Sequence, residues 1–262
     1  MDNSGRKFLG ISVLVFFACA AVTVTWCSSM SGMNRMPMAG GWTMSMTWML
    51  MPGQSWPGAA ASFVGMWAVM MVAMMLPALF PTLWRYRQII GRTNATRRDL
   101  LTWLVGVGYF SVWTLLGVAA FPLGVALAGA EMQYPALARA VPLTVSVIVL
   151  VAGLIQFTSW KARQLACCRE VSICSCAAAM DAGSAFKYGL RLGVHCTYCC
   201  AGLTAILLVI DVMDLRAMAA LTAAITLERL LPSGVRVAHA IGIVIVGAGL
   251  SACLCNLYAL AT

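Results

Sequence analysis

In the middle of a long apolar run the chain reads His195-Cys196-Thr197-Tyr198-Cys199-Cys200. On a helix Cys196, Cys199 and Cys200 occupy i, i+3 and i+4, so three sulfurs share one face, with His195 one turn before Cys199. A single buried cysteine is ordinary. Three beside an imidazole, inside an apolar helix, form a candidate metal or redox site. A second sulfur face precedes it, where Met66, Met70 and Met74 recur every fourth residue with Met71 and Met75 alongside. Thioethers are uncharged, easily buried and selective for Cu(I) over hard cations. Methionine is equally an adaptable filler of apolar helices, so the stripe alone does not require a metal.

Two further features carry chemistry. Glu228 is a carboxylate deep in an apolar segment, where an ionisable group is costly and marks a functional site by default. Its plainest structural role is a contact with neighbouring Arg229. Upstream, Met30, Met33, Met36, Met38, Met44, Met46, Met49 and Met51 lie among Trp42, Trp48 and Trp56. Such a segment could capture or release a soft ion where thiols protonate or oxidise, or lie at an interface with its Trp rings at the headgroups. The whole chain has eleven Cys and eighteen Met but two His, which favours soft-metal ligands. Cys falls in apolar runs and loops alike, so no secreted disulfide framework is implied. No nucleophile–base pair or cofactor motif is present, so the chain does not read as an enzyme.

The elements that hold these residues are membrane helices. The chain is 62% hydrophobic and 10% charged, whereas soluble domains carry about a quarter charged residues. The expected fold is all-α: a polytopic transmembrane bundle of about seven spanning helices with a cytoplasmic N-terminus. The expected spans are Leu9 to Trp26, Ala59 to Leu83, Leu100 to Phe121, Val141 to Phe157, Tyr188 to Ile210, Leu215 to Leu231 and Val235 to Leu260. The first could be a signal sequence behind Arg6 and Lys7; the poor lipoprotein context of Cys27 favours an uncleaved helix. A net charge of +9 does not indicate nucleic acid, because the basic residues sit in short loops between apolar runs. The Trp84–Asp99 and Ser159–Lys187 loops are expected on the cytoplasmic side, leaving only Arg35, Arg139 and Arg216 outside. Residues 1–57 then comprise the first helix and a periplasmic Met-rich segment, and residues 58–262 a six-helix metal-binding domain.

Depth links the candidates. At 1.5 Å per residue, Met70, Cys199 and Glu228 fall roughly 18, 17 and 20 Å from the outer ends of their helices, one layer near the midplane.

These residues resemble the bacterial family of predicted metal-binding integral membrane proteins, which includes a proposed membrane copper chaperone for a copper oxidase. The family pattern W-x-x-M-x-x-A-M-M-x-P is matched by Trp67, Met70, Ala73, Met74, Met75 and Pro77. A second, G-x-x-C-x-G-C-C followed by G-V-M-N-L and later E-K, is matched at Gly193, Cys196, Cys199, Cys200, Met213, Leu215 and Glu228. Tyr198, Asp214 and Arg229 depart from it. The family's K-x-x-C-L-x-x-C-R is met by Lys161, Leu165, Cys168 and Arg169, with Gln164 in place of the first Cys. Cys167, Cys174 and Cys176 could stand in as cytoplasmic ligands or be free thiols.

The resemblance and the ligand chemistry together imply an inner-membrane protein that binds copper, as Cu(I), and delivers it to a periplasmic or membrane-bound cuproenzyme. The expected ligands are Met66, Met70, Met74, Met75, His195, Cys196, Cys199, Cys200, Met213 and Glu228. The rival readings are a transporter of copper or another soft metal, and a metal-free assembly subunit of a membrane complex.

Overall fold

The computed structural model describes residues 3–31, 36–38, 41–50, 53–91, 94–174 and 181–261. It is all-α apart from one two-stranded ribbon. The helices are α1 (Asn3–Ser31), α2 (Trp56–Ile89), α3 (Ala95–Gln133), α4 (Pro135–Ile155), α5 (Ser159–Cys174), α6 (Ala182–Ile210), α7 (Leu215–Leu230) and α8 (Gly234–Ala261). All of these except α5 and α7 are long and apolar enough to cross a membrane. The remaining expected span is α7, whose 16 residues rise about 24 Å.

Neighbour contacts fix the direction of each pass. Arg87, at the end of α2, forms an ion pair with Asp99 at 2.6 Å and donates to the Ser4 hydroxyl at 2.9 Å. Its guanidinium also lies over the Phe8 ring. The start of α1, the end of α2 and the start of α3 therefore share one end of the bundle. α3 and α6 run parallel at very close range. A methyl on Gly108 would strike the Phe186 carbonyl, and one on Gly189 the Val105 carbonyl. Gly189 and Gly193 have the GxxxG spacing that lets membrane helices meet backbone to backbone. α4 and α8 run antiparallel, with Gly153 against Val246 and Gly249 against Leu150. Among the described residues, six helices are long and apolar enough to span, with α7 as a shorter seventh antiparallel to its neighbours, and the end of α8 lies opposite the start of α1. The basic groups at Arg6–Lys7, Arg85–Arg98 and Lys187–Arg191 share the N-terminal end.

Several boundaries differ from expectation for identifiable reasons. α3 continues past Phe121 to Gln133 because the run stays apolar through Leu123 and residues 125–128, and Gly124 lets the Trp48 ring lie against the helix. The segment Ser159–Lys187 begins as helix α5 and ends as the first turns of α6, rather than forming a loop. α5 carries on along the side of α6 that α4 occupies: Ala152 lies by Gly202, Lys161 by Cys199 and Cys168 by His195. α4 and α5 are therefore two parts of one broken helix, interrupted at Gln156–Thr158. The Gln156, Phe157 and Thr158 amides donate to the Gly153, Leu154 and Ile155 carbonyls, so the break keeps its backbone hydrogen-bonded, as an apolar medium requires.

At the opposite end, β1 (Met36–Pro37) pairs antiparallel with β2 (Thr43–Met44), and a short 3-10 turn, Met46–Trp48, follows. The Trp42 indole donates to the Ala138 carbonyl at 2.8 Å, and Trp48 packs on Phe63 with ring centroids 5.1 Å apart. These rings pin the Met-rich segment to the bundle, with Met44 buried beneath it. Met33, Met51 and Cys176, and the side chains of Met46, Cys167, Arg169 and Cys174, lie outside the described residues. Asp214 caps α7 by accepting from the Arg216 and Ala217 amides, a task that Asn performs equally well.

Candidate metal centre

The α3–α6 glycine contact brings Tyr109 against the cysteine face. Its hydroxyl donates to Cys196 Sγ at 2.8 Å, while Cys196 and Cys200 Sγ are 3.9 Å apart. α5 contributes a fourth sulfur. The Cys168 thiol faces the His195 carbonyl oxygen at 3.4 Å and forms a hydrogen bond with Cys199. All four cysteines are buried.

Among the described residues, two cations and one carboxylate frame this thiol group. Lys161 Nζ donates to the Cys199 carbonyl at 2.8 Å and to Glu228 Oε2 at 2.7 Å. Gln156 Nε2, at the helix break, donates to Glu228 Oε1 at 3.1 Å. Arg229 does not pair with Glu228: its NH1 donates to Cys196 Sγ at 3.1 Å. Its charge also acts on Cys168 and Cys200. The bland role expected of Glu228 therefore belongs to Lys161, and Glu228 is a paired countercharge with both oxygens engaged.

The expected ligands are distributed unevenly. Cys196, Cys199 and Cys200 come together, and Cys168 joins them. The His195 Nδ1 atom is buried with no hydrogen-bond partner, which leaves one nitrogen lone pair or proton uncommitted. Met66, Met70, Met71, Met74 and Met75 are buried on α2 in the same continuous core. Met213 lies elsewhere, at the α6–α7 turn, 3.8 Å from Cys27 Sγ. Trp67, the first residue of its motif, is a packing residue: its indole donates to the Trp113 carbonyl at 2.8 Å. Among the described residues, no three His, Cys, Asp or Glu side chains are arranged to hold an ion.

Lys161, Cys168, Tyr109 and Gln156 were not among the expected ligands. Lys161, Leu165 and Cys168 are spaced four and three apart, a helical face that was legible within the presumed loop. Tyr109 gave no such signal, because its role depends on how closely α3 meets α6.

A chain of multiple apolar helices that buries a group of thiols beside paired charges is a polytopic membrane protein. Residues 64–252, well over half of the chain, match the model of the PpoB2 family, described as copper chaperone. The chain belongs to that family, which assigns it a role in copper handling. No curated protein and no solved structure matches it.

Proposed function

We propose that this protein is a Cu(I) chaperone of the bacterial inner membrane that delivers copper to a periplasmic or membrane-bound cuproenzyme. The reading rests on one observation above all: Cys168, Cys196, Cys199 and Cys200 are buried together beside Arg229 and the Lys161–Glu228 pair. Thiolates select soft monovalent copper, and the charges balance. Cu(I) held by two thiolates carries one net negative charge. Lys161 and Glu228 neutralise each other, so Arg229 supplies the one positive charge needed. A neutral total suits a medium in which uncompensated charge is expensive. His195 Nδ1 adds an uncommitted donor, and the α2 methionines provide neutral sulfur for passing the ion along. Copper here is cargo, so exchangeable, partly formed coordination suits the task better than a closed site.

The N-terminal end, which gathers most of the basic residues, is cytoplasmic in this reading, and the Met-rich segment lies in the periplasm. Copper content of the membrane-purified protein and the activity of a co-expressed copper oxidase test the proposal. Met70→Leu, Met74→Leu and Glu228→Gln should lower both at limiting copper. Full oxidase activity in all three variants would remove the delivery mechanism.

Transport across the bilayer is favoured by one specific observation, the helix break level with Cys199 and Glu228, since broken helices line ion sites in transporters. Copper uptake into proteoliposomes containing only this protein distinguishes transport from delivery.

A further inference from the structure

We infer a second soft-metal site at the opposite end of the bundle from the basic clusters, formed by Cys27 of α1 and Met213 of the α6–α7 turn. The inference rests on the copper reading above and extends it to residues outside the thiol group. Cys27 is 2% exposed, and its sulfur lies 3.8 Å from Met213 Sδ. With metal–sulfur bonds of about 2.3 Å, as zinc makes to thiolate, one ion bonded to both would subtend an angle of about 110°. The two sulfurs need not move far to share an ion.

The surroundings favour a cation. Asp211 accepts from the Met213 amide at 2.9 Å, which fixes the turn that presents the thioether. The thiol group on α6 has buried cations instead, so the two sites differ in charge as well as in ligands. One thiol and one thioether make a weaker set than several thiolates.

Position completes the argument. Cys199 is eleven residues before the end of α6, about 17 Å along the axis from the turn that holds Met213. α1 leads directly from Cys27 into the Met-rich segment, and that segment is pinned to this same end. Copper passing between the segment and the buried thiols would meet Cys27 and Met213 on the way. The chemical class of ligand is a soft monovalent cation, Cu(I) or Ag(I).

The experiment titrates the full-length protein in detergent with Cu(I) against a Cu(I)-specific chelator. A Cys196→Ser/Cys199→Ser/Cys200→Ser background removes the α6 thiolates, and the remaining sulfur ligands are common to every variant, so a loss on changing Cys27 or Met213 reports the second site. That background should retain a weaker Cu(I) equivalent, which Cys27→Ser removes and Met213→Leu weakens at least tenfold. Met213→Leu preserves volume and apolarity, and circular dichroism on each variant verifies folding. Copper K-edge absorption of the loaded background should show sulfur ligation only. If the wild type binds Cu(I) but Cys27→Ser and Met213→Leu leave the background titration unchanged, the second site is refuted and the thiol site stands. If the wild type binds no Cu(I), the copper reading itself falls.

Discussion

Glu228 is 0% and Lys161 3% exposed, with their charged atoms 2.7 Å apart. At an effective dielectric near 20 their attraction is about 6 kcal/mol. Desolvation offsets much of that, so the pair adds little net stability, but removing one partner takes the 2.7 Å countercharge from a buried ion. Glu228→Gln and Lys161→Met should therefore each destabilise the protein by about 3–5 kcal/mol. Replacing both at once, as Lys161→Met/Glu228→Leu, should cost much less than the sum, because no charge is stranded. A double-mutant cycle built with Glu228→Leu as the single variant should give a coupling of at least about 2 kcal/mol. The assay is reversible unfolding in mixed micelles followed by circular dichroism. Additive single effects would refute the pairing and the charge balance derived from it. A second measurement reads function: Lys161→Met should weaken Cu(I) binding about tenfold or more, equivalent to about 1.4 kcal/mol, since Glu228 would then repel thiolates that Lys161 now shields.

Other outcomes follow from the same geometry. Purified protein should prefer Cu(I) to Zn(II) or Mg(II), and changing Cys196, Cys199 and Cys200 together to Ser should abolish most of that binding; an unchanged affinity would place the site elsewhere. Met70→Leu and Met74→Leu should each cost under about 1.5 kcal/mol of stability while lowering copper loading, whereas loading equal to wild type would reduce the stripe to packing. Cysteine-accessibility labelling at Gln88 and Lys187 should report the cytoplasmic side, and periplasmic labelling at either position would invert the proposed orientation. Gly189→Leu should disrupt folding, since even a methyl there meets the Val105 backbone; normal yield and melting temperature would contradict the α3–α6 contact.

The membrane class was legible because spanning helices announce themselves by length and apolarity, and each expected span corresponds to a helix. Their ends were harder to place. The expected span ended at Phe121, because Gly124 and Glu131 resemble loop residues, whereas the apolar residues between them carry α3 on and Gly124 seats the Trp48 ring. The cysteine face of α6 was legible from spacing of three and four. The partners of that face were not, because they arrive from α3, α5 and α7 through long-range contacts. Glu228 illustrates the point: adjacency suggested Arg229, but successive helical residues point about 100° apart. Arg229 faces Cys196, and the carboxylate meets a lysine 67 positions away.

The break between α4 and α5 also separates two modes of attachment to the bundle. Above it, α4 is held to α8 through glycine contacts at backbone range. Below it, among the described side chains, Lys161 and Cys168 tie α5 to α6 by hydrogen bonds to the Cys199 and His195 carbonyls, with Leu165 buried between them. A cysteine must lose its proton to ligate a metal, so loading Cys168 would remove the bond it donates to His195. The half of the broken helix that carries Lys161 and Cys168 is thus fastened by groups whose bonds change with the state of the thiols.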